Sequence, residues 1–340
     1  MVRKRGREHL NTADLVNVDH PAAQVAVVMP ALNEATIILA AIRSAIDALE
    51  TVVTDFKVVV VDDGSTDGTW ELVAAAAQAD RRVVGVKLSR NFGHDAALFS
   101  GIASVRAAAY ITMDCDGQHP FSVLPEMVTL WREGSADIVN GVKRERGEGE
   151  TSGYRLGAKL FGRILSVSMG DNLRNATEFK LLSKSAADTL LSIRDFHIFY
   201  RALVPWIGLR QVDLPFDVAP SMRSGSHWRL GSLINFALSG LVMFTDIPIR
   251  VIFYLGAGAL ALSGFLILKL LVELAVGSVE TGYSTLLVLL VMNIGLTMAS
   301  LGVIGIYVRA NLRQAIGRPR AIIQQVTASA GTGSTQRTII

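Results

Sequence analysis

Lys57–Thr69 reads KVVVVDDGSTDGT, a β-branched apolar run that closes on two acids, Asp62 and Asp63, and passes into Gly64, Ser65, Thr66 and Asp67. That is the pattern of a buried strand turning into a helix N-terminus. The same unit recurs on either side. Upstream, VAVVMP (Val25–Pro30) precedes a helical stretch from about Thr36 to Glu50. Downstream come the strand VVGVKLS (Val83–Ser89), a helix over about His94 to Ala109 and the strand YITMD (Tyr110–Asp114). A further helix over Ser122 to Glu133 leads into ADIVNGV (Ala136–Val142). Apolar strands alternating with helices predict an α/β fold whose mostly parallel sheet is covered on both faces. Ligands of such sheets bind beyond the carboxyl ends of the strands. The rule singles out Pro30–Glu34, Asp62–Ser65, Ser89–His94 and Asp114–Gln118.

Half of the 340 residues are hydrophobic and 19% are charged, which excludes a disordered chain. The charge is unevenly spread. Arg250 to Arg309 holds only Arg250, Lys269, Glu273, Glu280 and Arg309, although the chain has 33 Lys and Arg and 30 Asp and Glu. Uncharged runs over Val251–Leu268 and Leu286–Val308 are long enough to cross a hydrocarbon core of roughly 30 Å. Arg309, Arg313, Arg318 and Arg320 follow the second run, so the positive-inside rule places both termini in the cytoplasm. The expected organisation is a flexible basic arm (1–24), a cytoplasmic catalytic domain (25–227), an interfacial amphipathic helix region (228–249), two transmembrane helices (250–309, about 251–273 and 285–308) and a partly disordered cytoplasmic tail (310–340). The basic N-terminal residues are not followed by the apolar stretch of a signal peptide. A lone cysteine, Cys115, excludes an internal disulfide. Net charge is +3 with the basic residues beside the apolar runs, and no nucleic-acid partner is expected.

The strand ends carry the chemistry. Asp114 and Asp116 are spaced i, i+2 with Gln118 two further on, which turns hard oxygen donors to one side at the end of a fourth strand. Such a set suits Mg²⁺ or Mn²⁺ shared with a diphosphate. GxxxxGK[ST], a GxGxxG after the first strand, HExxH and GxSxG are all missing, which argues against P-loop, dinucleotide, zinc-peptidase and serine-hydrolase chemistry.

VVMPALNE (Val27–Glu34), VVVDDGSTDGT (Val59–Thr69), LSRNFGHDAAL (Leu88–Leu98) and MDCDGQHP (Met113–Pro120) resemble, in order, the motifs of family 2 glycosyltransferases. The resemblance is strongest to the polyprenyl-phosphate branch, dolichol-phosphate-mannose-synthase-like and bactoprenol-glucosyltransferase-like, and extends through RALVPWIGLRQVDLPF (Arg201–Phe216) to the apolar runs. It implies a GT-A fold and an inverting, metal-dependent transfer of one hexose from a nucleotide-diphosphate sugar to polyprenyl (undecaprenyl) phosphate at the cytoplasmic leaflet of the inner membrane. UDP-glucose is the first expectation for the donor, with GDP-mannose, N-acetylhexosamine or aminoarabinose donors as alternatives. A hydroxyl acceptor and a non-enzymatic two-span protein are the rival readings.

The resemblance also implies a site. Pro30, Leu32, Asn33 and Glu34 would flank base and ribose, with Asp62 and Asp63 beside them. Asp114 would face nucleotide and metal, and Asp116 and Gln118 would complete the Mg²⁺ or Mn²⁺ site. Leu32 stands where the family often has Tyr. Glu178, in ATEFKLL, would orient acceptor or sugar and joins Asp114 and Asp116 as a catalytic candidate. Lys143, Arg144, Arg146, Arg201 and Arg223 would receive the acceptor phosphate. Gly117 and His119 are not expected to be ligands. Membrane-embedded relatives also imply a homo-oligomer.

Overall fold

The computed structural model describes residues 23–144, 176–193, 200–218, 247–276, 283–316, 319–327 and 338–339. They fall into two compact units. The first contains strands β1 (Ala23–Ala31), β2 (Phe56–Asp62), β3 (Val83–Leu88), β4 (Ala107–Thr112), β5 (Ile138–Lys143), β6 (Ala176–Ser183), β7 (Gln211–Phe216), β8 (Ile322–Val326) and β9 (Thr338–Ile339). Its helices are α1 (Ile38–Leu49), α2 (Thr69–Ala79), α3 (His94–Ser104), α4 (Leu124–Arg132), α5 (Lys184–Ser192) and α6 (Tyr200–Trp206).

These strands form one sheet in the order β7-β5-β6-β4-β1-β2-β3-β8-β9. β1 pairs in parallel with both β2 and β4, β2 with β3, and β5 with β7, whereas β6 runs antiparallel between β4 and β5. The mostly parallel α/β sheet expected from the sequence is therefore present. Its chain order reverses at β1: β2 and β3 are added on one side, and β4 on the other. A reversal of this kind opens a crevice at the carboxyl ends, here between the segments that follow β1 and β4.

Both faces are buried. Val25, Val27 and Met29 of β1 pack with Ile38, Ala41 and Ile42 of α1 and with Met127 of α4. Ala26 and Val28 turn to the opposite face, against Leu98, Phe99 and Ile102 of α3 and Tyr200 and Leu203 of α6. This alternation explains why the central strands read as unbroken apolar runs. α3 lies unusually close to the sheet: a Cβ on Gly101 would be 2.3 Å from Val28 Cγ1 and 2.8 Å from Val61 Cγ2.

Three expectations need adjusting. β1 begins at Ala23, so the last two positions assigned to the basic arm belong to the sheet. The helix read to Ala109 stops at Ser104, because Ala107 and Ala109 pair with Ala23 and Val25 in β4. Alanine favours helices in isolation, and burial between β1 and β6 overrides that preference. The tail is also more ordered than its composition suggests. β8 pairs antiparallel with β3, and Thr327 clamps Gly85 through two bonds, N–H to Gly85 O and Gly85 N–H to its Oγ1, each 2.8 Å. Residues 1–22, Arg146, Arg223 and nearly all of 228–249 lie outside the described residues.

The described residues of the second unit form a pair of helices, α7 (Ile247–Val276, 30 residues) and α8 (Tyr283–Ile316, 34 residues), about 45 and 51 Å long. Large apolar side chains are exposed along both, including Phe253, Phe265, Leu286 and Met298. Among the described residues one segment, Met292–Arg309, is long and apolar enough to cross a membrane. The apolar part of α7, Val251–Leu266, is shorter, so among the described residues one of the two expected spans reaches that length.

Candidate active site

The β1 and β2 ends interlock. Asn33 takes a left-handed backbone, φ 57°, and its Oδ1 accepts the Thr66 N–H at 2.9 Å. The Asn33 and Glu34 amides donate to Ser65 Oγ and Thr69 Oγ1, both at 2.9 Å. Pro30 and Leu32 flank this crossing, with Pro30 buried and Leu32 half-buried. Gly64, at φ 79°, lets the loop pass within contact of Asn91; a Cβ there would be 2.6 Å from Asn91 N. The polar side chains of this corner mostly build the cradle itself.

Asp62 and Asp63 divide the work. Asp63 accepts from Phe92 N (2.7 Å) and Gly93 N (2.9 Å), so both its oxygens secure the loop leading into α3. Burial raises its pKa against those two bonds. Asp62 is wholly buried; Oδ1 accepts from Ser65 N at 3.0 Å, while Oδ2 has no hydrogen-bond partner among the described residues. An unsatisfied buried carboxylate oxygen is costly, and sites of this kind concentrate where ligands bind.

At the end of β4 the acidic loop is braced by its own histidine. The Asp114 N–H donates to His119 Nδ1 at 3.1 Å, so that nitrogen carries no proton. The nearby Asp114 Oδ2, 3.7 Å from the same nitrogen, therefore makes no ion pair with it. His119 is buried, stacked on Phe179 at 5.0 Å and edge-on to Phe216 at 5.8 Å, and burial holds its pKa down at about 4. Asp116 Oδ1 accepts from Gln118 N at 2.9 Å around Gly117, φ 77°.

Asp114 is the focus of a charged group drawn from four elements. His94, the first residue of α3, places Nε2 3.3 Å from Asp114 Oδ1. From β6, Glu178 accepts from Arg201 Nε of α6. Arg201 is held by its neighbour: the Tyr200 hydroxyl is 2.8 Å from Thr112 Oγ1, and its ring meets Phe99 edge-on. The Tyr200 backbone N–H donates to Asp95, the second residue of α3. Burial pushes Asp114 and Asp95 up to about 6, aided by Glu178 and opposed by His94 and Arg201. Partial burial would raise Glu178 as well, yet Arg201 and His94 outweigh that and hold it below its ordinary value. Two residues further along β6 and so on the same face, Lys180 is buried and donates to Asn140 Oδ1 at 2.7 Å; Asn140 in turn donates to Asp213 Oδ1 at 3.0 Å. Burial brings Lys180 down to about 8.

The structure thus brings Asp114, Glu178 and Arg201 together and sets Asp116 and Gln118 on the adjoining turn. Lys143, at the end of β5, is exposed, within electrostatic reach of His119. Arg144 turns to Asp217 at 3.4 Å instead. The sequence assigns no role to Asp95 or Lys180, marks His94 only as the end of the segment Ser89–His94, and marks His119 only as a residue not expected to be a ligand. A His-Asp pair directly after Gly93, where a strand passes into a helix, was the available signal for His94 and Asp95.

No three His, Cys, Asp or Glu side chains among the described residues are grouped to hold a metal. What is present is a pair of carboxylates, Asp114 and Asp116, close enough for Asp116 to raise Asp114, with an amide beside them. An oxygen-only, incomplete set fits a hard cation that fills its shell with water and substrate phosphate.

The model of Glycosyl transferase family 2 matches residues 26–191. An uncharacterized glycosyltransferase of Synechocystis, sll0501, is 31% identical over 89% of this chain and 95% of its own. The prophage bactoprenol glucosyl transferase homolog of Escherichia coli K12 is 26% identical over 89% of this chain and 99% of its own. Among solved structures, glucosyl-3-phosphoglycerate synthase of Mycobacterium tuberculosis with Mn²⁺, UDP-glucose and phosphoglyceric acid matches at 21% identity and a TM-score of 0.43, covering 65% of this chain and 78% of that one. The chain belongs to glycosyltransferase family 2. It is an enzyme with the GT-A-like α/β fold, and it transfers a sugar from a nucleotide-sugar donor.

Proposed function

We propose that the protein transfers a single hexose, with inversion, from a nucleotide-diphosphate sugar to polyprenyl (undecaprenyl) phosphate at the cytoplasmic face of the membrane, with UDP-glucose as the first donor to test. The observation that carries this reading is the half-exposed Arg201 guanidinium, fixed by Glu178 beside Asp114 at the mouth of the crevice. Relatives named bactoprenol glucosyl transferase, aligned over 89% of the chain, supply the acceptor class.

The acceptor's charge simplifies the chemistry. A phosphate monoester is largely dianionic at neutral pH, and its oxygen attacks the anomeric carbon without a general base. The new C–O bond forms opposite the leaving diphosphate, which departs with the electron pair of its own bond to that carbon. The chain must orient the two anions and offset their charge. Arg201 uses Nε on Glu178 and offers the rest of its fork to the acceptor phosphate; Lys143, Arg144, Arg146 and Arg223 are assigned to the same end. Pro30, Leu32, Asn33, Glu34 and Asp62 form the nucleotide cradle, and Asp63 fixes the loop beside it. Asp114, Asp116 and Gln118 would hold Mg²⁺ or Mn²⁺, which when bound supplies Lewis-acid charge to the leaving diphosphate.

A hydroxyl acceptor is the competing reading and would require a base. Glu178 is the available carboxylate, but one held below its ordinary pKa by a guanidinium is a weak base. The organisation proposed from the sequence, with two spans, an interfacial segment at 228–249 and both termini cytoplasmic, accompanies the lipid acceptor. The test is a transfer assay with purified full-length protein, undecaprenyl phosphate and a panel of UDP- and GDP-sugars, reading lipid products by mass spectrometry. A single-sugar product that EDTA abolishes is expected. Transfer to a hydroxyl lipid but not to the phosphate would overturn the reading.

A further inference from the structure

The turn that opens α3 is fastened three times over between Phe92 and Asp95. Both oxygens of Asp63, at the end of β2, hold the Phe92 and Gly93 amides at 2.7 and 2.9 Å. His94 places Nε2 3.3 Å from Asp114 Oδ1, on the acidic loop after β4. The next residue, half-buried Asp95, accepts the backbone N–H of Tyr200, the first residue of α6. The first two fastenings lie at the nucleotide cradle and the carboxylates. The third leads to Arg201.

Arg201 follows Tyr200, and Glu178 holds its guanidinium at Nε. Where the rest of the fork points therefore depends on where α6 begins. Two bonds of Tyr200 decide that: its hydroxyl lies 2.8 Å from Thr112 Oγ1 of β4, and its N–H rests on Asp95. A helix leaves its first four N–H groups without an acceptor of its own, and here a side chain of another helix supplies one. Phe99, also of α3 and buried, meets the Tyr200 ring edge-on at 6.3 Å, so both the backbone and the ring of Tyr200 rest on α3.

We infer that Asp95 is a positioning residue for Arg201, and that the first turn of α3 is the joint that sets the acceptor guanidinium in place relative to Asp114. His94 and Asp95 are consecutive, so the carboxylate that serves the donor and the guanidinium that serves the acceptor are located from one turn. Reacting groups must meet within about 3–3.5 Å, and a misplacement of about 1 Å can cost about a hundredfold in rate. An acid in the first turn also complements the helix dipole. That role needs the charge of Asp95 and no partner in α6, whereas positioning needs only an acceptor oxygen aimed at Tyr200. The inference rests on Arg201 receiving the acceptor phosphate.

Steady-state transfer by the full-length protein in detergent tests it, with undecaprenyl phosphate and whichever UDP- or GDP-sugar supports turnover. Asp95→Ala should raise the KM for the lipid phosphate about tenfold and leave the KM for the nucleotide sugar within about twofold, because Asp63 and His94 still hold the donor side. Asp95→Asn, whose Oδ1 still accepts the Tyr200 N–H, should recover most of the loss. In an Arg201→Met background, Asp95→Ala should add less than about twofold, since nothing remains for it to position. An unchanged lipid KM in Asp95→Ala, losses that multiply in the double variant, or Asp95→Asn as impaired as Arg201→Met would each overturn the positioning role. Should Asp95→Ala not fold, Asp95→Asn against Arg201→Met decides it. An unchanged lipid KM in Arg201→Met would instead overturn the acceptor assignment beneath the inference.

Discussion

His119 offers a sharp test of how the acidic loop is held. In Asn, Oδ1 occupies nearly the place of the imidazole Nδ1, so His119→Asn keeps an acceptor for the Asp114 N–H while removing the ionisable ring and its contacts with Phe179 and Phe216. At pH 7.5 the lost ring packing should destabilise the variant by about 1–3 kcal/mol. Lowering the pH should shrink that deficit. The unfolded imidazole takes up its proton near 6.5 and the folded one only near 4, so wild type loses stability as pH falls through that window. At pH 5 the loss is about 2 kcal/mol, one and a half pH units at about 1.4 kcal/mol each. The variant has no such group. Asp95 and Asp114, raised to about 6, push the other way in both proteins and drop out of the difference. Thermal unfolding of the detergent-solubilised proteins, followed by the fluorescence of Trp70 and Trp131, should show the gap between them narrowing by about 4–8 °C from pH 7.5 to pH 5. A gap that stays constant would mean that His119 is not held neutral, and the bracing of Asp114 would have to be reconsidered.

Asp116→Asn should lower turnover at least about a hundredfold in the transfer assay while UDP still shifts the melting temperature, since its effect is on charge at the leaving group. Arg201→Met should raise the KM for the lipid phosphate about ten- to a hundredfold, the worth of a charge-assisted contact, and Arg201→Lys should recover only part of it. Equal losses in nucleotide affinity, measured by calorimetry, would put Arg201 on the donor side. Gly101→Ala places a methyl 2.3 Å from Val28 Cγ1 and should cost about 1–3 kcal/mol in urea denaturation, with kcat of the surviving folded protein little changed.

The sheet was legible because its strands are buried on both faces and end on acids; KVVVVDD needs no partner to be recognised. The acidic loop was legible for the same reason. Glu178 and Arg201 each stood out alone, but their pairing, 23 residues apart, depends on β6 running antiparallel between β4 and β5. Asp63 could not be told from Asp62 by sequence, because the backbone amides that occupy it come from the loop before α3. β8 was hidden altogether. IIQQV is short and set among Ala, Gly, Ser and Thr, and its strand character comes from an edge 242 residues away, where Thr327 meets Gly85.

That distance sets a schedule for synthesis. A ribosome adding roughly 5–20 residues per second needs on the order of ten to fifty seconds to travel from Gly85 to Thr327. β1 and β2 are made before that interval begins and β3 and β4 within its first few seconds, and from then on β3 presents a bare row of amides and carbonyls to whatever else the nascent chain encounters. The β3 edge is covered by a segment that emerges only after both long helices. A stalled or truncated product would retain the acidic loop and the nucleotide cradle but keep an adhesive edge, and its fate should be aggregation or degradation before any sugar is transferred.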